Sequence, residues 1–300
     1  ATFMALLWDA VATRNAKLLN QGILSLPDKL DRATWLNYIR CHDDIGLGFD
    51  DADIRKADYE PRAHRRFLVD YFTGRFEGSD SRGQPFGVNL KTGDARISGS
   101  LASLVGLEAA IENADEQAIT RCVDLILLMH GMILSFGGIP LLYYGDEIGT
   151  LNDGSFLEDA SKANDNRWMH RPRLSWDLAD LRSQRSSVQG RIFEGLKRMI
   201  GVRKSIPAFA DFNNLELINS GNQHLFVFLR YAVEAGSDVL VVANFDETSQ
   251  SLDLGDLRNR GSFRYADLQD MYTGQQPSMF KNQLVVPPNR FYWLSDGGLY

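Results

Sequence analysis

The pattern of apolar and polar residues changes partway along the chain. Up to about residue 207, segments with apolar residues at helical spacing alternate with short continuous apolar runs, which predicts helices and strands in turn. The predicted helices are Ala10–Gln21, about His64–Phe76, Gln117–Ser135 and about Val188–Ser205, and the predicted strands are Trp35–Arg40 and Ile139–Tyr144. Such alternation is typical of parallel strands covered by helices, so we expect an α/β fold over 1–207.

A different pattern begins at about residue 208. Short apolar or alternating runs follow one another closely, with Gly, Asn and Pro between them, which predicts a small antiparallel β domain over 208–300. The predicted strands are Leu215–Ile218, Leu225–Tyr231, Val239–Phe245, Ser251–Leu254, Leu284–Val286 and Arg290–Leu294. The segment from about residue 46 to about residue 115 contains many Gly, Asp and Arg residues and is predicted to be a loop-rich insertion. An insertion of that size in a compact domain is usually functional.

Composition and charge argue against two classes of function. The chain is 44% hydrophobic and 24% charged, which is ordinary for a soluble globular protein. Its net charge of -7 and the absence of a long basic run argue against nucleic-acid binding. The longest apolar stretch, Leu125–Tyr144, is interrupted by His130, Gly137, Gly138 and Pro140, which favours a buried helix, a turn and a strand over a membrane span. The oligomeric state does not follow from the sequence.

The two cysteines and the N-terminal residues bear on the compartment. Cys41 and Cys122 lack a metal-type spacing and are predicted to be buried free thiols, with a disulfide as the alternative. Free thiols favour a reducing compartment. The N-terminal residues show no charged leader and no cleavage pattern, and the chain begins abruptly without Met. We therefore expect a cytoplasmic protein and a chain that is a fragment of a longer one.

Two strand ends carry acidic residues. The first is Arg40-Cys41-His42-Asp43-Asp44, where neighbouring carboxylates point in different directions, so that one can face a ligand while the other pairs with a cation. The alternative is a solvated acidic loop. The second is the segment 137–147, a strand followed by Gly-Asp-Glu, which is either a site or a structural turn whose charges pair with nearby arginines. Barrel enzymes place their chemistry at the C-terminal ends of strands.

Together these two segments resemble the α-amylase family of glycoside hydrolases. That family has a strand that ends in His-Asp and a later strand with the pattern Gly-x-Pro-x-x-Tyr-x-Gly-Asp-Glu, and both occur here in the same order. Three segments resemble the amylosucrases and the similar sucrose hydrolases, namely 42–46 (HDDIG), 92–99 (TGDARISG) and 166–172 (NRWMHRP). The resemblance implies the C-terminal part of a TIM (β/α)8 barrel with a long insertion, followed by a small antiparallel β-sandwich domain. The two predicted parallel strands are too few to close the barrel.

The resemblance also implies a role for each residue around a glucosyl unit. His42 would hydrogen-bond the glucosyl hydroxyls, and Asp43 would stabilise the distorted, oxocarbenium-like sugar. Arg167 would reach into the glucosyl pocket and pair with an acid outside this chain. A surface arginine more often lies solvated or in a weak ion pair, which is the alternative for every arginine named here.

The acceptor side is implied in the same way. Asp44 and Arg96 would bind the fructosyl half of sucrose or an incoming glucan, and Arg65 would lie on the acceptor path. The expected partners are therefore sucrose and an α-glucan acceptor, with neither nucleic acid nor membrane. The visible groups require no cofactor and no metal.

The two carboxylates that a retaining glycosidase needs are not evident. In the family they come from earlier strands, one with a Gly-x-Arg-x-Asp pattern, and here only Asp9, Asp28 and Asp31 precede Arg40. The chain is therefore expected to be inactive alone and to be part of a glucosyltransferase that cleaves sucrose, transfers glucose to an α-1,4-glucan and releases fructose. The alternatives are a sucrose hydrolase, with transfer to water, and a non-catalytic amylase-like binding or scaffold protein.

Overall fold

The computed structural model describes residues 1–27, 29–30, 32–210, 213–232, 238–257 and 267–296. The helices are α1 Thr2–Thr13, α2 Lys17–Leu24, α3 Asp51–Lys56, α4 Pro61–Phe72, α5 Leu101–Leu104, α6 Leu107–Glu112, α7 Glu116–Ser135, α8 Trp176–Asp180 and α9 Val188–Lys204. The strands are β1 Leu36–Asn37, β2 Gln84–Phe86, β3 Arg96–Ser98, β4 Ile139–Pro140, β5 Leu215–Ile218, β6 Leu225–Arg230, β7 Val239–Asn244, β8 Gln250–Asp253, β9 Leu268–Asp270, β10 Met279–Phe280, β11 Gln283–Val286 and β12 Phe291–Asp296. Short 3-10 turns lie between several of them.

Helix α7 forms the centre of the α/β region. It begins at Asp115, whose carboxylate accepts hydrogen bonds from the backbone N–H groups of Gln117 and Ala118. Its length and composition would suffice to cross a membrane, but 67% of its apolar window is buried inside the protein. Burial lowers the pKa of His130, in the middle of this helix, to about 4. Every residue from Leu128 to Ser135 is buried, so this part of α7 is apolar on most faces.

The described residues of the antiparallel region form two sheets. The larger has the strand order β5-β6-β7-β12-β9, and the smaller has the order β10-β11-β8. Side chains alternate between the faces of β6, so that Phe226 and Phe228 pack in the helical core while Leu225, Val227 and Leu229 pack between the sheets. Because both faces are buried, β6 is apolar throughout.

Strands β1 and β4 form a short parallel pair. Leu36 lies opposite Ile139 and Asn37 opposite Pro140. Gly138, just before β4, has a φ of 75°, and a Cβ at this position would collide with the backbone of Trp35. Leu36 and Ile139 are 51% and 56% exposed. Parallel sheets normally have both faces covered, whereas these two apolar side chains are more than half exposed.

The structure corrects several sequence predictions about helices. The predicted helix Ala10–Gln21 is two helices, because Arg14 adopts a left-handed conformation with φ of 55° and ends α1. Besides its loops, the insertion 46–115 contains four helices, α3 to α6, and the β2–β3 hairpin, whereas the sequence predicted one helix there. Three of these helices, α3, α4 and α5, begin at side-chain caps, Asp50, Glu60 and Ser100, which the irregular composition obscured.

Other predictions about strands and thiols also change. The predicted strands Trp35–Arg40 and Ile139–Tyr144 pair over only two residues each. Both cysteines are free, as predicted, but Cys41 is only partly buried, whereas Cys122 is buried and its pKa is raised by burial to about 12. Asp28 and Asp31 lie outside the described residues.

Candidate functional site

Two parallel strands deliver an arginine and an aspartate to the same edge of the sheet. Arg40 follows β1 and Asp146 follows β4, and Arg40 Nη1 lies 3.0 Å from Asp146 Oδ1, with each side chain 3% exposed. The Arg40 guanidinium also lies 4.4 Å from the centre of the Tyr143 ring and donates to the His170 carbonyl over 2.8 Å. Burial raises the pKa of Asp146 to about 6, although Arg40 acts in the opposite direction. Of the two interpretations of the segment 137–147, the structure favours the structural turn.

The loop after Arg40 is held through its backbone. The His42 carbonyl accepts a hydrogen bond from Arg171 Nε at 2.5 Å and lies 3.1 Å from His170 Nε2. On the other side of the ring, His170 Nδ1 accepts from the Gly99 N–H over 3.0 Å. Because Nδ1 accepts, Nε2 carries the proton that is donated to His42. Burial and the charge of Arg40 lower the pKa of His170 to about 4, so the ring is neutral near pH 7.

Asp44 and Arg96 are brought together by a short antiparallel bridge. Ile45 donates to the Ile97 carbonyl over 2.8 Å, and Ile97 donates back over 2.9 Å. The bridge pairs Ile45 with Ile97, so the residues just before them, Asp44 and Arg96, lie close to each other. Arg96 Nη1 lies 3.4 Å from Asp44 Oδ2, and the Asp44 side chain is 4% exposed whereas that of Arg96 is 63% exposed.

Arg167 lies on a 3-10 turn that Asp165 caps. The Asp165 carboxylate accepts from Arg167 Nε and Nη2 at 2.9 Å and 2.8 Å, and this pair lowers the pKa of Asp165. The remaining nitrogen, Nη1, lies 3.6 Å from Asp43 Oδ1 and 3.9 Å from Asp44 Oδ1. The guanidinium lies 4.6 Å from the centre of the Phe86 ring. Among the described residues, Arg167 therefore binds Asp165, two residues earlier, and its pairing with an acid outside this chain stays a prediction.

Most of the predicted site residues line one cavity of about 710 Å³. That volume lies within the range of ligand sites in proteins. The predicted residues in its wall are Asp43, Asp44, Arg65, Arg96 and Arg167. The wall also includes Ala1, Met4, Tyr38, Cys41, Asn89 and Asp94. Since carboxylates accept and guanidinium groups donate hydrogen bonds, this lining suits a ligand rich in hydroxyl groups.

Two predicted residues are held differently from the expectation. His42 does not line the cavity: its side chain is 65% exposed, and its Nε2 lies 3.4 Å from Asp43 Oδ2. Arg65 lines the cavity, but its Nη2 already binds Asp51 Oδ1 at 2.6 Å and the Phe49 carbonyl at 2.7 Å.

Sequence reasoning missed four residues around the cavity. Asp165, His170 and Arg171 hold Arg167 and the His42 loop, and Cys41 lines the wall. Asp165, His170 and Arg171 lie within or beside the segment 166–172, whose resemblance to the amylosucrases could have pointed to them. Asp9, by contrast, is fully buried in α1, where its Oδ1 lies 2.5 Å from His64 Nε2, and it does not line the cavity.

Comparisons with known proteins bear on the family. Glucosylglycerate phosphorylase of Escherichia coli (strain K12) is 26% identical over 224 residues, which are 72% of this chain and 36% of that protein. Sucrose 6F-phosphate phosphorylase from Thermoanaerobacter thermosaccharolyticum matches 81% of this chain and 41% of its own, with a TM-score of 0.54 and 16% identity. AmyP in complex with maltotriose matches 98% of this chain and 49% of its own, with a TM-score of 0.59 and 14% identity.

These relatives and structural neighbours are enzymes of the α-amylase family. The structural neighbours are TIM-barrel enzymes with C-terminal β domains, which confirms the predicted α/β fold in its coarse form. No family model matches the chain. The chain spans between about a third and a half of the length of these proteins. The finer resemblance to amylosucrases stays a prediction.

Proposed function

We propose that this chain is part of a retaining α-amylase-family enzyme that cleaves sucrose and transfers its glucosyl unit to an α-1,4-glucan, with release of fructose. The observation that carries the proposal is the convergence of Asp43, Asp44 and Arg167 in one cavity, with 3.6 Å between Arg167 Nη1 and Asp43 Oδ1. These residues belong to segments that resemble the amylosucrases, and they come from two loops more than 100 residues apart.

In the proposed reaction the bond between the glucosyl and fructosyl units breaks and a glucosyl–enzyme ester forms, which the acceptor hydroxyl then cleaves. Asp43 accepts hydrogen bonds from glucosyl hydroxyls and stabilises positive charge at the anomeric carbon. Arg167 and Arg171, at 3.6 Å and 3.5 Å from Asp43 Oδ1, hold that carboxylate in place. Asp44 and Arg96 line the side on which fructose leaves and the acceptor enters.

The nucleophile and the acid/base are proposed to come from strands that are not part of this chain. The carboxylates in the described cavity wall are Asp43, Asp44 and Asp94, and the resemblance gives none of them either role. The exposed apolar residues Leu36 and Ile139 support further strands beside β1 and β4. The 300-residue chain by itself is then inactive.

Phosphorolysis is the second candidate. It is favoured by the named activity of the Escherichia coli relative, glucosylglycerate phosphorylase, which matches 72% of this chain. In that case inorganic phosphate would replace the glucan as acceptor, on the side lined by Arg65 and Arg96. Guanidinium groups bind phosphate through paired N–H donors.

The test uses the full-length polypeptide that contains this chain, incubated with sucrose and either glycogen, inorganic phosphate or buffer alone. Fructose release with glucan growth supports the proposal, glucose 1-phosphate identifies phosphorolysis, and free glucose identifies hydrolysis. Asp43→Asn is expected to lower kcat/KM at least about 100-fold, the size of loss seen when one transition-state contact is removed. Asp58→Asn is a matched control, because Asp58 is 82% exposed and has a φ of 67°, which Asn tolerates. Absence of glucosyl transfer to any acceptor would refute the assignment.

A further inference from the structure

We propose that Cys41, His42 and Asp43 form a binding site for a thiophilic transition-metal dication, for which Zn²⁺ is the natural probe. Their candidate ligand atoms, one thiol sulfur, one imidazole nitrogen and one carboxylate oxygen, all lie within 4.8 Å of one another. A set of sulfur, nitrogen and oxygen ligands favours Zn²⁺, Co²⁺ or Cu²⁺ over Mg²⁺ and Ca²⁺, which prefer oxygen alone. Three protein ligands leave a fourth position open.

The distance between the imidazole and the carboxylate already suits a tetrahedral ion. Zinc binds nitrogen and oxygen at about 2.0–2.1 Å, which places two ligands of a tetrahedron about 3.4 Å apart. His42 Nε2 lies 3.4 Å from Asp43 Oδ2. Both side chains are more than half exposed, so small rotations can bring the Cys41 sulfur and these two atoms onto one ion.

The backbone that carries the three side chains is held in place. The His42 carbonyl is bound by His170 and Arg171 at 3.1 Å and 2.5 Å. The three residues are consecutive, and they lie outside the β1–β4 ladder. The metal site therefore forms by side-chain rotation on a fixed loop, which keeps the ordering cost of binding low.

The two oxygens of Asp43 have different neighbours. Oδ1 faces the guanidinium groups of Arg167 and Arg171 at 3.6 Å and 3.5 Å, whereas Oδ2 faces His42. The ion can bind Oδ2 while Oδ1 keeps both arginines. The positive charge of Arg167 is offset by the Asp165 carboxylate, which binds it in a bidentate manner.

Occupation of this site would compete with a sugar at Asp43. That consequence rests on the proposed function, whereas metal binding itself does not. Cys41 and Asp43 both line the cavity, so a metal ion there takes up Asp43 Oδ2 and part of the cavity volume. The site is therefore inhibitory in the proposed enzyme rather than part of its reaction.

The test is a Co²⁺ titration of the full-length polypeptide that contains this chain, followed by displacement with Zn²⁺. A thiolate-to-cobalt charge-transfer band together with intense visible d–d bands indicates tetrahedral binding through Cys41. Cys41→Ser should remove the charge-transfer band. His42→Gln should weaken the affinity for Co²⁺ at least about tenfold, because loss of a residue that only hydrogen-bonds a metal ligand already costs about that much. Cys122→Ser is the matched control and should keep both, because Cys122 is buried on α7.

Circular dichroism of each variant shows whether it is folded, and His42→Gln keeps the test valid if Cys41→Ser unfolds. A charge-transfer band that persists in Cys41→Ser, or that disappears in Cys122→Ser, would overturn the proposal, as would Co²⁺ binding without any such band. In the full-length enzyme, Zn²⁺ inhibition that is competitive with sucrose supports the overlap with the sugar pocket. Metal binding without competition would remove that overlap and leave the metal site standing.

Discussion

Replacement of Arg40 by Met tests how strongly the buried ion pair holds the two strand ends. In Arg40→Met the Asp146 carboxylate, whose side chain is only 3% exposed, loses its cation. The His170 carbonyl also loses the hydrogen bond that Arg40 donates to it. Breaking a buried pair in this way typically costs about 3–5 kcal/mol. Urea unfolding at pH 8, followed by circular dichroism, is therefore expected to show a loss of about that size in the free energy of unfolding.

The loss should depend on pH with a definite sign. Burial raises the pKa of Asp146 in the folded state to about 6 from its ordinary value of 3.8, so its stabilising contribution is complete below pH 3.8 and is lost as the pH rises through 6. Arg40 lowers that pKa, so Arg40→Met raises it further. The deficit of the variant should then be smaller at pH 5, where Asp146 is protonated and needs no cation, than at pH 8.

Two controls separate the ion pair from general damage. Arg40→Met combined with Asp146→Leu removes both charges and should recover most of the loss, since an apolar replacement of a buried pair is often close to neutral. Arg55→Met breaks the exposed Arg55–Asp51 pair and should cost less than about 0.5 kcal/mol. A deficit below about 1 kcal/mol, or one that is equal at pH 5 and pH 8, would refute this reasoning.

Two further predictions concern the loop anchor and the core. His170→Ala leaves the buried Gly99 N–H without its acceptor and should lower the free energy of unfolding in urea by about 1–3 kcal/mol. His170→Gln can still accept and donate hydrogen bonds, so it should recover part of that loss. Equal losses in the two variants would contradict the hydrogen-bonding role. Phe226→Ala removes a fully buried ring between the larger sheet and the helices and should lower the free energy of unfolding by about 3–5 kcal/mol. Phe280→Ala, at a site 68% exposed, should change it by less than about 0.5 kcal/mol. Comparable losses in the two variants would show that burial does not set the effect.

The sequence predicted six residues around one sugar-binding site, and the structure brings five of them together in one cavity wall, namely Asp43, Asp44, Arg65, Arg96 and Arg167. Four of the five lie in the segments 42–46, 92–99 and 166–172, which resemble the amylosucrases, and the position of Arg65 was implied by the same resemblance. The surroundings of individual side chains did not follow from the same reasoning, because a family pattern does not say which of several polar neighbours a side chain contacts. His42 lies beside Asp43 outside the cavity wall, and Arg167 binds Asp165. The pairing of Arg167 with an acid outside this chain stays a prediction.

Local pattern alone determined much of the architecture. Helix α7 begins within one residue of its predicted start, and β6 and β7 begin at the predicted positions, because capping and hydrophobic periodicity act within a few residues of the chain. Only the tertiary structure decided that Asp146 is buried against Arg40, 106 residues earlier, and that Asp165 binds Arg167 beside Asp43. The physical reason is that a buried ion pair depends on which distant segments of the chain meet and on how much water they exclude. The residues next to a charged side chain in the sequence determine neither.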